Sequence, residues 1–132
     1  MTADTSVIVP ALVSWHVDHD RCRRALSDVV AVAAHAELEA YSVLTRLPPP
    51  RRMPARAVAE ALAETFPGDR LTLGDRNRAA LVGVLAERDI GGGRVYDALI
   101  GLTAEEHELQ LLTRDRRAMK TYAALEIPHV VI

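Results

Sequence analysis

The chain has 132 residues, 49% of them apolar, and a formal net charge of −2. This length predicts one domain, spanning residues 1–132. The charge balance excludes a strongly basic nucleic-acid-binding protein, so any contact with nucleic acid has to come from a local basic patch. Aromatic residues make up only 4% of the chain, which argues against a base-stacking surface of the RNA-recognition kind.

Features that are absent from the sequence indicate the cellular compartment of the protein. The only cysteine is Cys22, so an internal disulfide is excluded. The first residues show no basic stretch followed by an apolar one, and no apolar run approaches the roughly 18 residues of a membrane-spanning helix. We therefore expect a cytoplasmic protein with no membrane contact.

Short apolar stretches alternate with helical patterns along the chain. The predicted strands cover residues 2–9, where Pro10 breaks the strand, and then 29–34, 70–75, 109–113 and 128–132. The predicted helices cover residues 19–26, 35–47, 53–66, 76–89, 94–108 and 114–127. This alternation predicts an α/β fold with a mainly parallel sheet that is covered on both faces.

Four acidic residues fall where predicted strands end or the following helices begin: Asp4, Glu39, Asp97 and Asp115. Ligands bind beyond the carboxyl ends of the strands in such sheets, so these acids are expected to meet at one edge. Each acid alone is also explained by the dipole at a helix start. Together, four carboxylates would repel one another strongly without a cation, and clustered oxygen ligands suit Mg²⁺ or Mn²⁺.

One ambiguity concerns the predicted helix at residues 35–47. Glu37 and Glu39 flank its apolar face at similar angles, so helical periodicity does not choose between them. His35 begins the same helix, and a capping or packing role is favoured over catalysis.

Four segments in order, "ADTSVIVPAL", "AHAELEAYSVLTRLP", "GGGRVYDALI" and "LLTRDRRAMKTYAALEI", resemble the PIN-domain toxins of bacterial VapBC toxin–antitoxin pairs. The resemblance spans nearly the whole chain. It implies a three-layer α/β/α sandwich with a short central, mainly parallel sheet. It also implies a type II toxin that hydrolyses RNA phosphodiester bonds with Mg²⁺ or Mn²⁺. The expected partners are an inhibitory VapB-like antitoxin and a second copy in a homodimer, with promoter DNA contacted only through the antitoxin.

The resemblance also implies roles for individual residues. It gives the catalytic metal ligands as Asp4, Glu39, Asp97 and Asp115, which prefers Glu39 over Glu37. The residues that would hydrogen-bond the ligand carboxylates or bound waters are Thr5, Ser6 and Thr113. Glu37 is an extra acid compared with the family pattern, and we expect it to be a solvated surface charge.

Arginines are concentrated on both sides of the predicted site. The segment between Ala40 and Ala59 has four arginines and no acid, and further basic residues surround Asp115. Contacts from such residues to phosphate give affinity without sequence information. The predicted RNA-binding residues are Arg46, Arg51, Arg52, Arg114, Arg116 and Arg117. For any single arginine, a solvated helix face is the competing explanation.

Two other functions fit parts of the pattern. A metal-dependent phosphohydrolase for small molecules would use the same acids in a closed pocket. A non-catalytic, regulatory PIN-like module would act by protein contact, but the presence of all four acids disfavours it. A receiver domain would need a lysine near the last strands and paired acids at the first, and this chain lacks both.

Overall fold

The computed structural model describes residues 1–132. It contains three strands, β1 (Thr2–Ala3), β2 (Leu111–Thr113) and β3 (His129–Val131). Its seven helices are α1 (Thr5–Leu12), α2 (His19–Ala25), α3 (Ala34–Thr45), α4 (Ala55–Thr65), α5 (Asp75–Glu87), α6 (Arg94–Glu106) and α7 (Ala118–Ala124). A short 3₁₀ helix, Leu26–Asp28, follows α2.

The three strands form a parallel sheet in the order β1-β2-β3. Thr2 lies opposite Leu111 on one side of β2, and Leu111 lies opposite His129 on the other. Every residue of β1 and β2 is buried, and α1 packs against both strands. The predicted α/β fold with a small parallel sheet is confirmed. Four helices, α2, α4, α6 and α7, lie within the segments predicted to be helical, and α3 and α5 begin one residue before theirs.

The sheet is smaller than the sequence predicts. Residues 29–34 and 70–75 do not form strands, and their only pairing is one isolated parallel bridge between Ala33 and Leu71. The 3₁₀ helix ends at Asp28 and α3 begins at Ala34, so little extended chain remains between them. Val30 in this stretch is 73% exposed, although its β-branched side chain favours a strand.

The predicted first strand is also wrong over most of its length. It ends at Ala3, and α1 begins at Thr5. Asp4 starts this helix, because its Oδ1 accepts a hydrogen bond of 3.0 Å from the backbone N–H of Ser6. This N-cap outweighs the strand preference of the β-branched residues that follow.

Pro10 lies inside α1 and does not end it. A proline lacks the N–H that would bond the carbonyl four residues earlier, here that of Ser6. The Nη1 of Arg114 donates to the Ser6 carbonyl oxygen at 3.1 Å and so satisfies it from outside the helix. A side chain that follows β2 therefore replaces the hydrogen bond that Pro10 removes.

One continuous apolar core joins the sheet to the helices. Its largest fully buried members come from several elements and include Ile8, Leu44, Ile100, Leu111 and Tyr122. None of the helices is both long enough and apolar enough to cross a membrane. The core fixes the ends of β1 and β2, where the acidic residues follow.

Candidate functional site

A cleft of about 420 Å³ opens at the carboxyl ends of β1 and β2. All four predicted acids line it: Asp4, Glu39, Asp97 and Asp115. They come from the chain after β1, from α3, from the first turn of α6 and from the chain after β2. The structure thus brings together residues from opposite ends of the sequence.

Asp4 is the most deeply buried of the four acids and is 4% exposed. Its Oδ1 accepts hydrogen bonds from the Ser6 N–H at 3.0 Å and the Ser6 hydroxyl at 2.5 Å. Its Oδ2 accepts one from the Tyr122 hydroxyl at 3.1 Å. Burial raises the pKa of Asp4, while the hydroxyls of Ser6, Thr113 and Tyr122 act in the opposite direction. Asp4 is therefore held in one orientation at the base of the cleft.

Glu39 is positioned by α1 across the cleft. The Thr5 hydroxyl donates to Glu39 Oε2 at 2.7 Å, and His35 Nε2 lies 3.7 Å from Glu39 Oε1. The Glu39 side chain keeps 34% of its surface exposed, so it can still reach a ligand in the cleft. Thr5 thus holds one oxygen of the Glu39 carboxylate.

Asp97 has the clearest electrostatic strain. Its pKa is raised to about 6, chiefly by burial and in addition by the negative charges of Asp115, Glu39 and Asp4. Arg94 is the one positive group that acts against this rise. The cleft therefore has more negative charge than its own basic residues neutralise.

Asp115 is set by the end of β2. Its backbone N–H donates to the Thr113 hydroxyl at 3.1 Å, and its Oδ1 accepts from the Arg117 N–H at 2.7 Å. Thr113 is fully buried and does not line the cleft. The Ser6 hydroxyl accepts from the Arg114 N–H at 2.7 Å, so it links α1 to the chain after β2.

Glu37 does not line the cleft. Its Oε1 lies 2.6 Å from Arg70 Nη2 in a partly buried ion pair, with both side chains about three quarters covered. The expectation of a freely solvated surface charge is wrong, because Arg70 holds Glu37 against the neighbouring segment. The structure separates Glu37 from the cleft and places Glu39 in it, which periodicity alone could not do.

The predicted RNA-binding arginines fall into two groups. Arg114 lines the cleft, but its guanidinium contacts the Ser6 carbonyl and forms an ion pair with Asp18. The other five are exposed: Arg46, Arg51, Arg52, Arg116 and Arg117. Among these, the guanidinium of Arg51 lies over the Trp15 ring at 4.5 Å.

Sequence reasoning missed Tyr122 and Asp18. Tyr122 is fully buried in α7, and its hydroxyl bonds the acid that follows β1. A tyrosine in the apolar stretch "TYAALEI" is the only available signal, because a buried hydroxyl needs a partner. No pattern in the sequence indicates that Asp18 pairs with Arg114 across 96 positions.

The four carboxylates offer hard oxygen donors in an environment with excess negative charge, which is the chemistry that Mg²⁺ and Mn²⁺ require. No three acidic, histidine or cysteine side chains form a compact ligand cage. Mg²⁺ keeps several of its waters and uses only one or two direct carboxylates, so it does not need such a cage. The residues present therefore fit a hydrated divalent cation.

Comparison with known proteins agrees with this geometry. The PIN domain family model matches residues 1–125. The ribonuclease VapC40 of Mycobacterium tuberculosis is 46% identical over 124 residues, covering 94% of this chain and 92% of that protein. The ribonuclease VapC27 of the same species is 42% identical, covering 100% of this chain and 96% of that protein.

A solved structure shares the fold. The structure of FitAB bound to an IR36 DNA fragment superposes with a TM-score of 0.71 at 18% identity, covering 98% of this chain and 93% of that one. The family match and the two relatives identify the chain as a member of the PIN-domain family and, within it, of the VapC ribonucleases.

Proposed function

We propose that this protein is the toxin of a type II toxin–antitoxin pair and acts as an Mg²⁺- or Mn²⁺-dependent endoribonuclease in the cytoplasm. The observation that carries the proposal is the convergence of Asp4, Glu39, Asp97 and Asp115 in one cleft. Membership of the VapC ribonucleases supports RNA as the substrate. It also supports a VapB-like antitoxin as the inhibitor and a homodimer as the assembly, with promoter DNA bound only through the antitoxin.

In this proposal the four carboxylates hold the cation, directly or through water. A bound divalent cation would supply charge stabilisation for the phosphoryl group and lower the pKa of water. Tyr122, Ser6 and Thr5 keep the carboxylate oxygens aimed at the cleft, because each hydroxyl donates to one of them. A cleft carboxylate accepts the proton of the attacking water, and the 3′-oxygen of the RNA leaves, giving 5′-phosphate and 3′-hydroxyl ends.

The exposed arginines would bind the RNA backbone on either side of the acids. Arg51 and Arg52 follow α3, which carries Glu39, and Arg116 and Arg117 follow Asp115. Contacts of this kind neutralise phosphate and make binding sensitive to salt. Arg114 instead stabilises the cleft wall through Ser6 and Asp18.

The test is cleavage of a pool of single-stranded RNA by the purified protein with Mg²⁺, Mn²⁺ or a chelator, with the product ends identified. We expect cleavage with metal, 5′-phosphate ends and no cleavage with the chelator. Activity on a chromogenic phosphate ester without any RNA cleavage would contradict the proposal and favour a small-molecule phosphohydrolase. Expression of this protein alone should arrest growth. Co-expression with the protein encoded by the adjacent reading frame should restore it.

A further inference from the structure

The chain has five tryptophan, tyrosine and phenylalanine residues. Only two of them are substantially exposed, Trp15 at 46% and Tyr96 at 50%. Tyr96 directly precedes Asp97 in the first turn of α6. Its ring stacks on the ring of His35, with centroids 5.0 Å apart and planes 8° from parallel. Neither ring lines the acidic cleft, but Tyr96 adjoins Asp97, which does.

His35 joins this stack to the other side of the cleft. It lies one helical turn before Glu39, and its Nε2 is 3.7 Å from Glu39 Oε1. Its side chain is only 24% exposed, so the stack and Glu39 fix the imidazole. Tyr96, by contrast, keeps half of its surface exposed to solvent while its ring stacks on His35.

We propose that Tyr96, supported by His35, is the stacking platform for a nucleobase next to the scissile phosphate. This inference rests on the proposed ribonuclease function. Single-stranded RNA is bound by stacking of unpaired bases on aromatic side chains, and such contacts tolerate any sequence. A phosphate bound at the acids would place its neighbouring bases within reach of the Tyr96 ring, which precedes Asp97 and stacks on His35 beside Glu39.

A single platform differs from the multi-aromatic surface that the composition excludes. One ring positions one base, and the acids determine which bond is cut. The His35 ring below limits the movement of Tyr96, so little side-chain entropy is lost when a base binds. Tyr96 is thus a positioning residue, and it takes no part in proton transfer.

The test uses a single-stranded oligoribonucleotide of mixed sequence that the wild-type protein cleaves, together with copies that lack one base on either side of the cut. Tyr96→Ala should raise KM for the intact oligonucleotide by about tenfold, the scale of one base–aromatic stack, and leave kcat within about threefold. Tyr96→Phe should behave like the wild type, because it keeps the ring. Tyr96→Leu should behave like Tyr96→Ala, because it keeps apolar bulk without the ring.

The abasic substrates separate stacking from a merely structural role. Removing the contacted base should raise KM for the wild type by about tenfold but have little further effect on Tyr96→Ala, because the same contact is already lost. An equal loss for both proteins at every position would overturn the platform, as would an unchanged KM for Tyr96→Ala. Failure of the wild type to cleave any RNA would instead overturn the ribonuclease proposal and this inference with it.

Discussion

At the scale of single residues, the partly buried carboxyl group of Asp97 makes the stability of the protein depend on pH. The pKa of about 6 means that the folded, metal-free protein holds the Asp97 proton more tightly than the unfolded chain does. The contribution of Asp97 to the free energy of unfolding is therefore fully present below pH 3.8 and is lost as the pH rises through about 6. A bound cation would reverse the loss by favouring the charged form.

We therefore predict that Asp97→Asn stabilises the metal-free protein at pH 8 by about 1 kcal/mol, after allowance for solvent screening, and raises Tm by about 3 °C. The gain should shrink towards pH 4, and Mg²⁺ or Mn²⁺ should raise the Tm of the wild type more than that of the variant. Thermal unfolding at several pH values measures both effects. Glu64→Gln, at an exposed position on α4, should show neither effect, and a variant less stable than the wild type at pH 8 would contradict the prediction.

Tyr122 acts on the same cleft through one hydrogen bond. Tyr122→Phe removes the donor to Asp4 Oδ2 but keeps the ring and its packing. We expect a loss of stability of about 1 kcal/mol and a fall in cleavage rate of about fivefold, because Asp4 becomes less well oriented. Tyr41→Phe, on a partly buried ring, is the matched control for denaturation and cleavage measurements. Equal effects of the two substitutions would show that the Tyr122 hydroxyl has no special role.

At the scale of elements, the position of Asp97 depends on how closely α6 approaches α7 and the chain before β3. A Cβ at Gly101 would lie 2.5 Å from Ile127 Cδ1 and 3.1 Å from Tyr122 Cδ1. Gly101 therefore permits a close contact in the same helix that carries Asp97. Any shift of α6 would also disturb Tyr122, which holds Asp4.

Gly101→Ala should lower the free energy of unfolding by about 1–3 kcal/mol, because the added methyl group overpacks this contact. Gly83→Ala is the matched control, since Gly83 lies within α5 with no atom within 4 Å of the added Cβ. It should stabilise the protein by about 0.5–1 kcal/mol through helix propensity alone. Chemical denaturation compares the two, and a stabilised Gly101→Ala would refute the close packing.

At the scale of the whole molecule, the net charge of −2 hides an uneven distribution. The cleft is acidic, whereas exposed arginines lie in the segment after α3 and in the segment after β2. RNA would meet positive charge before it reaches the acids, and the cation would neutralise the acids themselves. Affinity should then come largely from the arginines and depend on ionic strength.

We expect the combined substitutions Arg51→Glu and Arg52→Glu to weaken binding of single-stranded RNA by at least about tenfold and to flatten its salt dependence. Fluorescence anisotropy at several salt concentrations measures both quantities. Arg23→Glu with Arg76→Glu makes the same charge change at exposed positions on α2 and α5, which line no part of the cleft. Identical salt slopes for the two double variants would contradict a role of Arg51 and Arg52 in RNA binding.

Much of this molecule could be predicted from its sequence. The strand-end rule and the family resemblance selected four acids that the fold brings into one cleft. Periodicity could not separate Glu37 from Glu39, because the difference depends on partners distant in the chain: Arg70 pairs with Glu37, and Thr5 with Glu39.

The strands predicted at residues 2–9 and 29–34 are wrong because they too depend on partners distant in the chain. Residues 2–9 have strand-forming side chains, but Asp4 caps a helix there, and Arg114 compensates for the proline within it. Residues 29–34 are apolar, but the neighbouring helices leave them room for only one bridge. In each case tertiary contacts override the local strand propensity, and local sequence patterns do not predict those contacts.

We expect the acids of the cleft, and not acidic charge in general, to support catalysis. The most direct measurement is single-turnover RNA cleavage with Mn²⁺ by Glu39→Gln and Glu37→Gln, two substitutions of the same charge on the same helix. Glu39→Gln should lower the rate by at least about a hundredfold, the scale for a group acting at the reacting centre, while Glu37→Gln should stay within about threefold of the wild type. Equal rates for the two variants, or a larger loss for Glu37→Gln, would contradict the assignment.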